Sequence, residues 1–197
     1  MLFIVGSAKN VKKTKNYDKI DTVIFVKKLL VVVDYQVDFV IGSLGFPKAK
    51  TLEEGIIDKI IEFENNDDDV VFTLDTHYDN YFETIEGINL PVKHCIKGTK
   101  GHELYGNVKN MISNHPVILK ETFGSDKLLE FLKDKEYNEI AFCGVVTNIC
   151  VISNAIIAKS ALPNTKITIF KDLVASNNLE LENKSFDVMK NLHMNII

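Results

Sequence analysis

The sequence predicts an α/β protein, a three-layer α/β/α arrangement around a mostly parallel, doubly wound central sheet. Two observations carry this expectation. Five short runs, "LLVVV", "VVFTL", "PVILK", "EIAFC" and "KITIF", recur along the chain, and near-continuous apolar runs of this length suit strands buried on both faces. Segments of helical period lie between them, which is the alternation of βαβ units. A sheet of this kind gathers ligands at the carboxyl ends of its strands. The residues just after each run are therefore the ones to search for chemistry.

Residues 1–28 read as an N-terminal extension. Their stretch "VGSAKNVKKTKNYDKID" is polar and lysine-rich, while "MLFIV" and "TVIFV" are short apolar runs, so the segment is expected to stay flexible or to pack on a neighbouring subunit. The domain proper spans residues 29–197 and begins with the strand at 29–33. Next comes "TLEEGIIDKIIEFE", where Thr51 and Glu54 match a capping box and Ile56, Ile57, Ile60 and Ile61 share one helical face. Further helices are expected to start near Ser125, Thr147 and Ser176.

With 197 residues, 46% of them hydrophobic and 25% charged, the chain can bury the core of one ordinary domain. The formal net charge is −4 and no basic stripe is present, which argues against a nucleic-acid partner despite a local positive bias at Lys12, Lys13, Lys15, Lys27 and Lys28. A small molecule is the expected partner. Cys95, Cys143 and Cys150 form no spaced framework, and an odd count suits a reducing, cytoplasmic setting. No window approaches the length of a transmembrane helix, and the opening apolar run is too short for a signal peptide.

The strand ends deliver Asp34 after the first run, Asp75 and His77 after the second, Lys120 at the end of the third and Cys150 beyond the fourth. Singly, each reads as a turn former, a cap or a solvated charge. Jointly, an aspartate, a lysine and a cysteine on one rim offer a proton carrier, a positive neighbour and a nucleophile. In "FCGVVTNICV", Cys150 is expected in the first turn of a helix capped by Thr147 or Asn148. Unpaired amides and the helix dipole there favour a thiolate and can hold the oxygen of a tetrahedral intermediate. Cys143, inside a strand, reads as a small buried hydrophobe, and Cys95 as a packing or loop residue. Asp75 and His77, two apart at a strand end, project to one side and can share a cation, with His94 arriving from a following loop. Phosphoryl transfer, which also uses an aspartate after the first strand of such a sheet, needs a second aspartate two residues on. That position is Gln36, and the reading is disfavoured.

Taken together, "LLVVVDYQVDF", "DTHYDNYFETIEG", "VKHCIKGTKG", "LKETFGS" and "CGVVTNICV" resemble the isochorismatase-like cysteine hydrolases and are most similar to the nicotinamidases and pyrazinamidases among them. The resemblance covers residue 29 to the C-terminus. It implies the isochorismatase-like hydrolase fold and a catalytic triad of Asp34, Lys120 and Cys150. It also implies a cis peptide between Val145 and Val146, and an oxyanion hole made by the amides of Val146 and Cys150. For a divalent metal ion, zinc first with manganese or iron as alternatives, it implies Asp75, His77 and His94 as ligands. Glu86 is preferred over Glu83 as the fourth, because its distance from Asp75 and the following Gly87 match relatives that carry a glutamate there. Phe39 corresponds to the aromatic residue that packs on the substrate ring, whereas Asp38 is expected to bond loop backbone. Asn148 stands where an aspartate is common and reads as a tolerated capping swap.

The implied activity is hydrolysis of nicotinamide to nicotinate and ammonia through a thioester on Cys150, in a cytoplasmic homo-oligomer that binds a small amide. Two departures bear on it. An aromatic residue often stands three residues before the last metal histidine, and here that residue is Pro91; the chain also lacks tryptophan. Leu90 or Tyr81 is expected to fill the gap, or the pocket takes another small carboxamide or carbamoyl compound. Isochorismatases proper do not use the cysteine, so Cys150 weighs against their vinyl-ether chemistry. An inactive metal-binding or interaction module is the alternative of a different class. Its sign is loss of a triad residue, and none is lost.

Overall fold

The computed structural model describes residues 27–197, so the extension expected at the N-terminus lies, but for its last two residues, outside the described residues. Six parallel strands form one sheet in the order β3-β2-β1-β4-β5-β6. They are β1 (Lys28–Val33), β2 (Asp69–Asp75), β3 (Val117–Lys120), β4 (Glu139–Val145), β5 (Lys166–Ala175) and β6 (Asn195–Ile196). The first five contain the expected runs, except that Pro116 of "PVILK" lies just before β3. The sixth is a two-residue edge strand, too short to leave an apolar run in the sequence.

Seven α-helices accompany the sheet: α1 (Val37–Val40), α2 (Pro47–Lys50), α3 (Glu53–Asn65), α4 (Ile85–Asn89), α5 (Asp126–Leu132), α6 (Ile152–Ala161) and α7 (Leu179–Asn191). Strand alternation divides the core in two. Leu29, Val31 and Val33 of β1 face Leu128 of α5, Ala155 of α6 and Phe186 of α7. Leu30 and Val32 face the opposite way, onto Ile56, Ile60 and Phe63 of α3. Each fully buried large aliphatic contributes about 1.5–3 kcal/mol, and this two-sided burial is what the apolar runs encode. Because β1 pairs with both β2 and β4, the chain's direction of travel reverses between β1 and β4. Their carboxyl ends border the crevice where such sheets bind ligands.

Ser125 caps α5 by accepting from the Leu128 amide, as its position suggests. The Thr51 capping box does not form. Pro47 begins the short helix α2, whose last turn takes Thr51, and the Thr51 hydroxyl donates to the Lys48 carbonyl. Helix α3 therefore starts from Leu52 without a side-chain cap. Its buried face is Ile56, Ile60 and Phe63, while Ile61 is exposed. Helix α7 starts after Asn178, which accepts from the Leu181 amide, rather than at Ser176.

Gly144 lies opposite Val33 in the β1–β4 ladder at φ +108. A Cβ there collides with the Val33 backbone, and the conformation is one that residues with a side chain rarely adopt. Gly144→Ala is expected to cost about 3 kcal/mol or more, measured as a lower urea midpoint at unchanged slope.

Candidate active site

Asp34 follows β1 in a left-handed conformation, φ +44, which is uncommon for a residue with a side chain. Thr73 of β2 holds it there. The Asp34 amide donates to the Thr73 carbonyl at 3.1 Å, and the Thr73 hydroxyl donates to Oδ1 at 2.6 Å. Oδ2 is buried and lies 2.7 Å from Lys120 Nζ in an ion pair. Lys120 ends β3 opposite Asp75 in the β2–β3 ladder. Its ammonium donates to Asp75 Oδ1 at 2.9 Å and to the Thr122 carbonyl at 3.0 Å, and lies 3.6 Å from Cys150 Sγ. Three segments thus bring the aspartate, lysine and cysteine around one ammonium.

The electrostatics of this group correct one expectation. Burial pushes the Cys150 thiol well up, Lys120 opposes it, and Asp34 and Asp75 push it further in the same direction. The surroundings as a whole therefore disfavour the thiolate expected from the helix dipole and Lys120 alone. Burial also raises Asp34, against the pull of Lys120. Burial works against the Lys120 charge, but Asp34, Cys150 and Asp75 together hold its pKa well above the ordinary value. Burial thus raises the proton affinity of both the thiol and the Asp34 carboxyl, so proton transfer between them is easier than from this thiol to an ordinary carboxylate.

The expected cap is absent too. The Val145–Val146 peptide is cis, and Val146 leads into a π-helical turn, Thr147–Val151, with no side-chain cap. The Thr147 hydroxyl instead donates to Glu182 Oε1 at 3.1 Å, and Asn148 Oδ1 accepts from the Ser176 hydroxyl at 2.5 Å. The Val146 carbonyl takes the amides of Ile149 and Val151, on either side of Cys150.

A second cluster adjoins the first through Asp75. One ligand atom each from Asp75, His77, Glu86 and His94 lies within 4.8 Å of the others. His77 Nε2 is 2.9 Å from Asp75 Oδ2 and 3.6 Å from Glu86 Oε1; His94 Nε2 is 3.4 Å from both carboxylates. Burial lowers both imidazoles, but hydrogen bonds that they donate to Asp75 and Glu86 overcome it and raise each to about 9, while the same histidines draw Glu86 down to about 2 against its own burial. The donor set fits a divalent cation on two counts. His94 Nδ1 lies 2.8 Å from the Val92 carbonyl, which fixes its proton on that nitrogen and leaves Nε2 as a ligand. His77 Nε2 is likewise buried and directed at both carboxylates, 2.9 Å from Asp75 Oδ2 and 3.6 Å from Glu86 Oε1. Glu83 is exposed and stands outside this group.

Both clusters open onto one cavity of about 210 Å³, bordered by Asp75, Glu86, His94 and Cys150 on its polar side. Phe39, Leu44, Phe46, Leu90, Phe123, Val146 and Ile149 make the apolar wall, with Asn177 as a further polar residue. This space is smaller than the roughly 300–1,000 Å³ of drug-sized sites and suits a single substituted ring. The Phe39 ring is buried, 5.4 Å from the His94 ring. Of the two residues expected to replace the aromatic at Pro91, Leu90 lines the cavity. Tyr81 does not: it packs edge-on to His77 and His94 and donates its hydroxyl to the Leu90 carbonyl. Asp38 accepts from the amides of Ser43 and Cys95, the backbone role expected of it. Cys95 and Cys143 are fully buried.

Several supporting residues were not found from the sequence. Gln36, noted there only as not being an aspartate, grips the Asp75 backbone from both sides, accepting from its amide at 2.8 Å and donating to its carbonyl at 2.9 Å. Thr73 carried a signal, because strand alternation puts it on the same face as Asp75. Glu182, buried on α7, accepts from Thr147 and from Lys48. Phe46 and Phe123 lie in loops whose aromatics have no periodicity to read.

A parallel sheet with a thiol, a carboxylate and an ammonium at its switch point defines the class, a cysteine-containing hydrolase of three-layer α/β/α architecture with a candidate metal site beside the sulfur. The chain belongs to the isochorismatase family: residues 28–197 match the Isochorismatase domain. The uncharacterized isochorismatase family protein PncA of Bacillus subtilis (strain 168) is 32% identical over 168 residues, covering 79% of this chain and 90% of that protein. The crystal structure of nicotinamidase PncA from Bacillus subtilis superposes with a TM-score of 0.77 at 28% identity, covering 87% of this chain and 99% of the other. Pyrazinamidase of Pyrococcus horikoshii in complex with zinc gives 0.77 at 25% identity, with 87% and 98% covered. No described helix is long and apolar enough to cross a membrane.

Proposed function

We propose that the protein is a metal-dependent amidohydrolase that converts nicotinamide to nicotinate and ammonia, with Asp34, Lys120 and Cys150 as its catalytic residues. The observation that carries this reading is the shared cavity, in which Cys150 and three residues of the cation cluster, Asp75, Glu86 and His94, border one ring-sized space. The relatives described as nicotinamidase and pyrazinamidase support it. The catalytic unit is residues 29–197, acting in a cytoplasmic homo-oligomer that salvages nicotinamide.

Asp34 takes the thiol proton, and the Cys150 sulfur attacks the carboxamide carbon. The amides of Val146 and Cys150 hold the oxygen of the tetrahedral intermediate. The carbon–nitrogen bond breaks as Asp34 gives its proton to the departing nitrogen, releasing ammonia and leaving a thioester. Asp34 then draws a proton from water, whose oxygen attacks the thioester carbon. The carbon–sulfur bond breaks, the sulfur recovers the proton, and the acid leaves. Lys120 keeps the anionic forms of Asp34 and Cys150 stable at close range, and Phe39 packs on the ring. Asp75, His77, Glu86 and His94 would hold a divalent ion, zinc first with manganese or iron as alternatives. When bound, that ion supplies a Lewis-acid centre that can take the ring nitrogen and orient the carboxamide.

Ammonia release from nicotinamide and from benzamide by the metal-loaded protein tests the reading. Benzamide keeps the carboxamide but lacks the ring nitrogen, so its kcat/KM is expected to be at least about tenfold lower. Equal turnover of the two removes the ring nitrogen from the account. The aliphatic Leu90 beside Pro91 favours a second reading, hydrolysis of another small carboxamide or carbamoyl compound. Turnover of such a compound with nicotinamide untouched would select it.

A further inference from the structure

Asn154 is the third residue of α6, fully buried, and no step of the proposed reaction uses it. Its amide is nonetheless fully engaged. Nδ2 donates to the Cys150 carbonyl at 2.8 Å and to the Phe123 carbonyl at 3.1 Å, and Oδ1 accepts from the Ser125 amide at 3.0 Å. The loop it grips runs from Lys120 to α5 and carries Phe123, half-exposed and lining the same cavity as Val146, Ile149 and Cys150 of the sulfur's own turn. Gly124 brings this loop against α6 so closely that a Cβ there would lie 2.7 Å from Ile157 Cδ1. One side chain therefore ties two walls of the cavity together: the turn that bears Cys150 and the loop that bears Phe123.

We infer that Asn154 is a positioning residue that sets the width of the cavity between Cys150 and Phe123 and so selects the size of the amide admitted. The inference rests on the proposed amidohydrolase reading for its kinetics, but not for its geometry. A merely local role, a side chain bonding the carbonyl four residues back in its own helix, would also satisfy the Cys150 contact. It gives no reason for both remaining polar positions to be directed at the Phe123 loop.

Asn154→Ser separates the two roles, because serine can still donate to the carbonyl four residues back while its shorter side chain cannot span to Phe123 and Ser125. The first readout needs no substrate: the rate at which Cys150 is alkylated by iodoacetamide and by its bulkier N-phenyl analogue, followed by peptide mass mapping. The wild-type protein is expected to prefer the small reagent, and Asn154→Ser to shrink that preference at least about fivefold. Phe123→Ala should do the same, and adding Asn154→Ser to it should change the preference little further, since the two act through one wall. In the kinetic arm, the KM for nicotinamide should rise more than kcat falls. An unchanged alkylation preference in folded Asn154→Ser overturns the inference, as does an undiminished effect in the Phe123→Ala background. If Asn154→Ser does not fold, Asn154→Thr, whose hydroxyl also donates to the carbonyl four residues back without reaching the loop, replaces it with the same expectations; failure of both to fold assigns Asn154 a structural role only. A wild-type protein that hydrolyses no carboxamide counts against the proposed function, while the alkylation arm still decides the role of Asn154.

Discussion

Cys150→Ala is expected to reduce amide hydrolysis by at least about 10⁴-fold, because the sulfur is both the attacking atom and the site of the covalent intermediate. The structure makes a second expectation follow from the first. Burial and the two neighbouring carboxylates oppose loss of the thiol proton, so activity depends on the Asp34 carboxylate to take it. Asp34→Asn, nearly isosteric but unable to take the proton, should lose about 10²–10⁴-fold in kcat. Cys143 provides the control. It is equally buried but lies on the other face of the sheet among the residues packed on α3, and Cys143→Ala should alter stability by about 1 kcal/mol with kcat near wild type. A Cys150→Ala protein with wild-type turnover would remove the covalent mechanism altogether.

The second large effect is expected at the cation cluster. Protein stripped with a chelator should release little ammonia from nicotinamide and recover on addition of zinc, manganese or ferrous ion. His94→Ala should lose both bound metal, read by elemental analysis, and at least about 10²-fold in activity. His94 is the sharpest choice because its Nδ1 contact with Val92 commits Nε2 to the cluster. Glu83→Ala is the matched control, since Glu83 is exposed and lies outside the group. Metal retained at full stoichiometry in His94→Ala would remove that residue from the ligand set.

Much of the architecture was legible because two-sided burial forces strands such as Leu29 to Val33 to be apolar at every position, and because a doubly wound sheet exposes chemistry at strand ends. Asp34, Asp75, Lys120 and Cys150 are readable for that reason alone. Glu86 was not readable from the residues by themselves: it reaches the cluster from a loop helix, α4, and only the resemblance preferred it to Glu83. The ion pair between Lys120 and Asp75 depends on the β2–β3 register, which no run of residues states. Reasoning about the thiol from its own helix end missed the carboxylates that converge on it from other strands. The capping box failed for a similar reason, since Pro47 claims Thr51 for the preceding turn. Asn154 and Glu182 sit within helices, where the sequence offers no mark to distinguish a buried polar clamp from an ordinary surface position.

The account's central claim is a covalent acyl intermediate on Cys150, and its most direct test is to quench the metal-loaded wild-type protein in acid during turnover of nicotinamide and map the peptides by mass. A nicotinoyl group should be found on the peptide containing Cys150, absent from those containing Cys95 and Cys143, and absent altogether in Cys150→Ala. Steady turnover with no acyl adduct on Cys150 in the wild type, and undiminished turnover in Cys150→Ala, would contradict it.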